Sequence, residues 1–327
     1  MYPQQRMRRR RGKIIRPLLT ENALRKHELI APLFIDETIR VKRPIDAMPG
    51  QCRYPVDEIA SVASSLYHTG IGAVLLFGIP AGKDTEASGA YAENGIIQRA
   101  VRAIKKEVPD FAVITDVCAC EYTSHGHCGI VGETKHGLDL LNDESLELMN
   151  RIAVSHAESG ADIVAPSCML DGLVASIRSA LDGAGYEDVA IMSYSTKFAS
   201  ALYGPFREAA DSGFSFGDRS SYQLNPANGR EAYLESVLDA EEGADILMVK
   251  PAGNYLDVVA GVREIGLPVA AYQVSGEYAQ IKAASERGWI NEKQVVLESL
   301  TCMKRAGADL LITYFAEVVA RWLDEEQ

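Results

Sequence analysis

The chain has 327 residues, 47% hydrophobic and 24% charged, a globular composition with length for one large α/β barrel or two ordinary domains. No apolar run reaches the ~18 residues a membrane helix needs, and the basic start lacks the apolar stretch of a secretory signal, so a cytoplasmic protein with no membrane partner is expected. The net charge is −12, yet residues 1–16 hold Arg6, Arg8, Arg9, Arg10, Arg11, Lys13 and Arg16 and no acid, leaving 26 basic against 45 acidic residues in the remainder; so acidic a body argues against nucleic acid as the main partner.

The basic arm reads either as a nucleic-acid tail or as a segment that wraps an acidic neighbouring subunit. Leu18, Leu19 and Leu24 give it apolar surface to bury, which favours the second. Residues 1–28 are therefore expected to form an arm for subunit contacts and residues 29–327 a catalytic domain. That domain opens on a buried strand over 29–35, complicated by Pro32, since proline is unwelcome inside a sheet. From Pro55, Ile59, Val62, Ala63 and Leu66 recur at helical spacing until Gly70. The unbroken apolar run 73–79 follows, of the kind seen in strands covered on both faces.

Helix and strand then alternate: helix 96–108, strand 111–118, helix 143–159, strand 162–166, helix 173–181 and strand 189–195. A long segment over 198–226 precedes helix 230–242, strand 245–250, helix 255–265, strand 268–274, two helices near 277–287 and 292–305, strand 309–315 and helix 316–325. Three helix-to-strand joints share Gly-Ala-Asp, at Gly160, Gly243 and Gly307, and Gly72-Ala73 resembles a fourth. Glycine suits the left-handed C-cap before such a turn. Eight strand–helix units in this length predict a (β/α)₈ (TIM) barrel with an extended N-terminal arm. The rival doubly wound sheet lacks a G-x-G-x-x-G after its first strand.

Such a barrel puts its chemistry at the C-terminal ends of its strands. Those ends carry Asp116, Cys118 and Cys120 (third), Ser167 (fourth), Lys197 (fifth), Lys250 (sixth), Ser275 (seventh) and Tyr314 (eighth). A lone lysine at a strand end commonly snorkels to solvent. Two on adjacent strands, ~4.8 Å apart, repel each other, and burial adds to the effect. Both lysines are therefore expected below their ordinary pKa, as amine nucleophiles that form Schiff bases with ketones.

Cys118, Cys120 and Cys128 fall within eleven residues. In a long chain without a secretory signal such a cluster points to a metal rather than to disulfides. Three thiolates can hold zinc with a fourth position open for chemistry; His125 or His127 could instead complete a closed structural site. Residues 198–226 are long enough for a lid. Arg207 and Arg219 on it suit an anionic substrate, because the guanidinium fork matches a carboxylate. A Schiff-base aldolase on the same barrel accounts for Lys250 but not for Lys197 or the cysteines. A zinc-stabilised nucleic-acid binder conflicts with the acidic body.

The stretches Asp116-Val-Cys-Ala-Cys-Glu-Tyr-Thr-Ser-His-Gly-His-Cys-Gly129, Ser193-Tyr-Ser-Thr-Lys-Phe-Ala-Ser200 and Met248-Val-Lys-Pro-Ala252 resemble the porphobilinogen synthase (δ-aminolevulinic acid dehydratase) family, in its cysteine-rich zinc-binding class. Ala165-Pro-Ser-Cys-Met-Leu-Asp-Gly172 and Tyr203-Gly-Pro-Phe-Arg207 agree. The resemblance runs from about Arg6 to the C-terminus. It implies a lyase of tetrapyrrole (heme) synthesis that joins two 5-aminolevulinate molecules into porphobilinogen with loss of water. It also implies a homo-octamer whose arms hug neighbouring subunits. On the matching positions, Lys250 would form the Schiff base with the first-bound substrate and Lys197 would engage the second. Ser275 and Tyr314 would hold the first carboxylate; Arg207, Arg219 and Gln223 the second. Cys118, Cys120 and Cys128 would bind catalytic Zn²⁺, Asp116 and Ser167 would line the site, and Glu235 would bind an activating Mg²⁺ away from it. Ala119 and Leu173 depart from the commoner residues of the family, and neither is a motif ligand.

Overall fold

The computed structural model describes residues 7–10, 12–135 and 137–325, so Arg6 and Arg11 of the basic arm lie outside the described residues. The apolar runs form eight parallel strands: β1 (Leu29–Asp36), β2 (Ala73–Ile79), β3 (Ala112–Val117), β4 (Ile163–Pro166), β5 (Ala190–Lys197), β6 (Ile246–Lys250), β7 (Val269–Gln273) and β8 (Leu310–Thr313). Each pairs with the next, and β8 closes on β1 through Leu29↔Leu311 and Ile30↔Ile312. The (β/α)₈ barrel expected from the repeat is the fold observed. Every residue of β1 and β2 is buried, because helices cover one face and the barrel interior the other.

Pro32 is accommodated by local pairing. It sits opposite Leu75 of β2. On its other flank β1 is unpaired between Ile30, which meets β8, and Phe34, which meets the short strand Cys52–Tyr54. No ladder donor is required there. The helices follow the expected spacing. Helix Val56–His68 buries Ile59, Ala63 and Leu66 and places Asp57 and Glu58 in its first turn, which suits the positive end of its dipole. The hairpin of strands Val131–Thr134 and Gly137–Leu140 was not expected, since four residues a strand, with alternation only at Leu138 and Leu140, make too short a pattern to read.

The Gly-Ala-Asp joints hold a second device. Gly160, Gly243 and Gly307 take φ of 101°, 104° and 126°, as anticipated for left-handed caps. The aspartate that follows then staples two strand starts together. The Asp245 N–H donates to the Ile191 carbonyl (3.0 Å) while its carboxylate accepts from the Ile191 N–H (2.8 Å). Asp162 repeats this with Val113, and Asp309 with Val269. These staples lie at the N-terminal ends of the strands and leave the opposite end of the barrel for chemistry.

The arm joins the barrel through Lys26, which pairs with Asp324, and Glu28, 3.2 Å from Lys304. Ahead of these, Ile14 and Leu18 are 83% and 79% exposed. No helix among the described residues is long and apolar enough to cross a membrane.

One buried group sets an acid limit on stability. His156, on helix Asn142–Glu158, is fully buried, and neither ring nitrogen has a hydrogen-bond partner among the described residues. Burial pulls its pKa from 6.5 to about 3. The folded state therefore binds fewer protons than the unfolded chain between those values, so its stability is complete above pH 6.5 and falls as pH drops toward 3, by about 1.4 kcal/mol per unit. A His156→Leu variant is expected to flatten this acid limb in urea titrations at pH 4–7; an unchanged limb would assign the acid sensitivity elsewhere.

Candidate active site

β5 and β6 run in register at their C-terminal ends, with Lys197 and Lys250 as direct partners. The two side chains are 6% and 5% exposed. Lys250 Nζ lies within 4.2–5.6 Å of the ring centroids of Tyr272, Tyr194, Phe206 and Tyr203. Burial in this aromatic box, with the charge of Lys197 beside it, brings the Lys250 pKa down to about 7. Lys197 behaves differently. Its Nζ donates to the Ser167 carbonyl at 2.5 Å. Burial pulls it down too, but Cys128, Cys118 and Asp116 outweigh burial and hold it above its ordinary value. The expectation that both lysines are depressed therefore holds for Lys250 alone: Lys197 faces the cysteines as well as its twin.

The alternation of β3 carries Asp116 and the thiols into that space. Asp116 accepts a hydrogen bond from the Ser167 hydroxyl at 3.1 Å, and its other oxygen has no partner among the described residues. Burial raises its carboxyl, against the pull of Lys197 and Lys250. Cys118, Cys120 and Cys128 are buried, with their sulfurs all within 4.8 Å of one another and those of Cys118 and Cys120 3.3 Å apart. Cys120 pulls Cys118 down, but Cys128 and burial leave it raised; Cys118 and Cys128 both raise Cys120; and hydrogen bonds from Cys118 and Cys120 bring Cys128 well below its ordinary value. Three buried sulfurs converging in this way are a donor set that fits a soft cation such as zinc. Gly126 makes the connecting turn: its φ is +74°, and a Cβ there would lie 2.1 Å from the Gly213 carbonyl oxygen. His127 does not join the sulfurs; its ring nitrogens face the Tyr222 hydroxyl and the Phe216 carbonyl.

The 198–226 segment forms the outer wall. It contains a short helix, Gly204–Ala209, and Tyr203, Phe206, Arg207 and Arg219 line one cavity with Asp116, Cys120, Ser167, Lys197 and Lys250. Arg219 is buried and donates to the carbonyls of Gly126 and Ser212, each at 2.9 Å, tying the cysteine loop to the outer segment. The Nε atoms of Arg207 and Arg219 are buried without partners among the described residues. Burial and the charge of Arg219 lower the Arg207 pKa. Two guanidinium groups, each with an unpartnered Nε, line this one cavity, an arrangement whose chemistry suits an anion.

Three expected substrate binders do not line that cavity. The Ser275 hydroxyl accepts from the Phe206 N–H (3.0 Å) and donates to the Leu202 carbonyl (3.3 Å). The Tyr314 hydroxyl pairs with that of Tyr272 at 3.0 Å, one side chain removed from Lys250. Gln223 lies in a separate cavity together with Asp139, Asp171, Glu231 and Glu235. Glu235 is half-buried, and its carboxyl is raised by burial and by Asp171 and Glu231; it belongs to neither cluster of converging metal-ligand atoms among the described residues.

Glu121 was not anticipated. It is buried in the cavity wall, and burial, with Asp116 near, raises its pKa to about 7. Its place directly after Cys120 was the available signal. The aromatic box carried none, because Tyr194, Tyr203, Phe206 and Tyr272 come from three separate segments.

A model of the delta-aminolevulinic acid dehydratase family matches residues 4–322. The delta-aminolevulinic acid dehydratase of Halalkalibacterium halodurans is 53% identical over 314 residues, 96% of this chain and 94% of that protein. The enzyme of that name from Archaeoglobus fulgidus is 52% identical over 323 residues, covering 98% and 99%. The crystal structure of the Toxoplasma gondii ME49 delta-aminolevulinic acid dehydratase (porphobilinogen synthase), in complex with the reaction product porphobilinogen, has a TM-score of 0.96 at 42% identity and covers 100% of this chain and 93% of that one. A buried lysine pair, a three-thiol cluster and full-length similarity of this degree coincide in one barrel, and the chain belongs to the delta-aminolevulinic acid dehydratase (porphobilinogen synthase) family.

Proposed function

We propose that this chain condenses two molecules of 5-aminolevulinate into porphobilinogen with loss of water, and that Lys250 is its principal nucleophile. The observation that carries this reading is the register-matched pair Lys197 and Lys250, buried beside three converging thiols. Near neutral pH about half of the Lys250 side chain is the free amine. That amine attacks the ketone carbon of the first substrate; the carbonyl oxygen leaves as water and a C=N bond forms. The aromatic box excludes water from the imine. Protons on the carbon next to the imine are then acidic, and loss of one makes that carbon a nucleophile toward the second carbonyl, held by Lys197. The C–C bond forms, that carbonyl's oxygen takes up protons and leaves as water, and the second substrate's amino group attacks the imine carbon, closing the ring and releasing the Lys250 amine. Arg207 and Arg219 hold the second substrate's carboxylate. Asp116 and Ser167 orient the groups between the lysines. Both reactants are thereby fixed in register, which supplies much of the rate gain of a bimolecular condensation.

Cys118, Cys120 and Cys128 would hold zinc, as in the cysteine-rich class of the family; when bound, the metal supplies a Lewis acid close to the reacting carbonyls. The role of Ser275 requires the outer segment to act as a lid. In the closed arrangement Ser275 is engaged with it, and opening would free the hydroxyl for the first carboxylate. A magnesium ion near Glu235 would relieve the repulsion among Glu235, Asp171 and Glu231. The exposed Ile14 and Leu18 on a basic arm, against an acidic body, support an oligomer of arm-hugging subunits, in this family an octamer. The free cysteines suit the reducing cytoplasm.

Purified protein given 5-aminolevulinate is expected to form a pyrrole detectable colorimetrically, and a chelator is expected to abolish its formation. Metal-replete protein that forms no pyrrole would overturn the reading.

A further inference from the structure

The outer segment is attached to the rim of the barrel at particular points, and one of them bears directly on the anion site. Asp36 ends β1 and is 1% exposed. One of its oxygens is taken by Thr38, from the backbone N–H at 2.9 Å and the hydroxyl at 2.6 Å. The other accepts from Arg53 Nη1 at 3.2 Å. Arg53 Nη2 then reaches away from the barrel and donates to the Glu208 carbonyl at 2.5 Å.

Glu208 lies in the last turn of helix Gly204–Ala209, where carbonyls lack partners within the helix and carry its negative end. A guanidinium is the natural group for that position, since its planar fork serves two acceptors at once. The Glu208 side chain adds a further link, accepting from the Ala47 N–H at 3.3 Å. Beyond the helix, Asp211 adopts φ +50° and is held by Lys83, with Nζ 2.8 Å from its carboxylate. The helix is thus clasped at its carbonyl end from the β1 side and just beyond it from the β2 side. Between these anchors and the lysine pair stand Phe206, whose ring packs on Phe34 and Phe77, and Arg207.

We propose that Arg53 is a positioning residue for the reaction: it couples the buried Asp36 of the barrel to the helix that carries Phe206 and Arg207, and so sets the anion site over Lys250. The inference rests on the function proposed above. Arg53 lines no part of the cavity around Lys250 and touches none of its lysines, so its influence on turnover passes through the helix.

An ion pair with a purely structural role would, when broken, lower thermal stability by stranding the buried Asp36 carboxylate, and would leave the kinetics alone. The two cases separate in an Arg53→Gln variant. A hydrogen bond to a charged group is worth enough to change binding about tenfold. The expected result is a KM for 5-aminolevulinate raised about tenfold, kcat at saturation within about threefold of the parent enzyme, and faster protease cleavage within residues 204–212, suppressed by saturating substrate. Arg53→Lys, which keeps a positive charge on the buried Asp36 but lacks the fork, is expected to raise KM by a smaller factor and carries the test if Arg53→Gln does not fold. A parent-like KM in the folded variant overturns the proposal, as does parent-like cleavage. Borohydride trapping of 5-aminolevulinate on Lys250 runs in parallel. Loss of trapping in the parent enzyme defeats the proposed function, whereas trapping in both enzymes with equal KM defeats only the role of Arg53.

Discussion

A Lys250→Met enzyme is expected to fold like the parent and to lose at least ~10⁴-fold in turnover, the scale of loss when a nucleophile is removed. Methionine keeps the length and apolar stem of lysine, so the box of Tyr194, Tyr203, Phe206 and Tyr272 stays filled. It removes a group that is itself costly to bury as an ammonium, and stability at neutral pH is expected to hold or rise. In the parent enzyme, borohydride with 5-aminolevulinate is expected to reduce the imine to a secondary amine on Lys250, located by peptide mass spectrometry. An adduct confined to any other lysine would sink the assignment. The pH profile offers a second check. With the Lys250 pKa at about 7, the free amine is scarce below that pH and saturates above it, so kcat/KM is expected to climb about tenfold per unit on the acid side and level off above about pH 8. A profile still climbing at pH 10 would mean that the nucleophile is an ordinary lysine.

The second large effect concerns the thiol cluster. Replacing Cys118, Cys120 and Cys128 together by serine is expected to remove bound zinc and to lower turnover by about 10³-fold, the several kcal/mol that a Lewis acid supplies at a developing charge. Serine hydroxyls are poor zinc ligands of nearly the same size, so the buried site keeps its shape. Metal content by elemental analysis and activity are measured on the same sample. Full activity without zinc would show that the metal takes no part in the chemistry. Each single replacement is expected to lower zinc content as well, because each removes one of the three converging sulfurs.

Lys197 illustrates how far strand-end reasoning reaches. Its adjacency to Lys250 follows from two consecutive parallel strands, and repulsion between two ammonium groups is a sound inference from adjacency alone. The opposite shift of Lys197 comes from Cys128 and Cys118, which lie on a different strand end and its loop. Nothing in the spacing of residues 118–197 says that these groups meet. The same holds for Gln223, Ser275 and Tyr314. Each stands on the expected segment, yet none lines the cavity around Lys250: Ser275 is bonded to the Leu202 carbonyl and the Phe206 N–H, Tyr314 pairs with Tyr272, and Gln223 borders a separate cavity.

Strand number, strand order and the end of the barrel that carries the chemistry were determined by the amino-acid sequence itself. Doubly covered strands must read as unbroken apolar runs, helices must repeat at 3.6 residues, and the Gly-Ala-Asp joints recur wherever a helix turns back into a strand. Those are local requirements, so a local pattern reveals them. Lys197, Lys250 and the three cysteines were legible for the same reason, as reactive groups at the ends of such runs. Tertiary structure alone decided which of these groups touch. The aromatic box around Lys250, the tie from Arg219 to Gly126, and the reach of Arg53 from Asp36 to Glu208 all join segments far apart in the chain. Burial and neighbouring charge act through space, and they divide two identical lysines into a depressed amine and a retained cation.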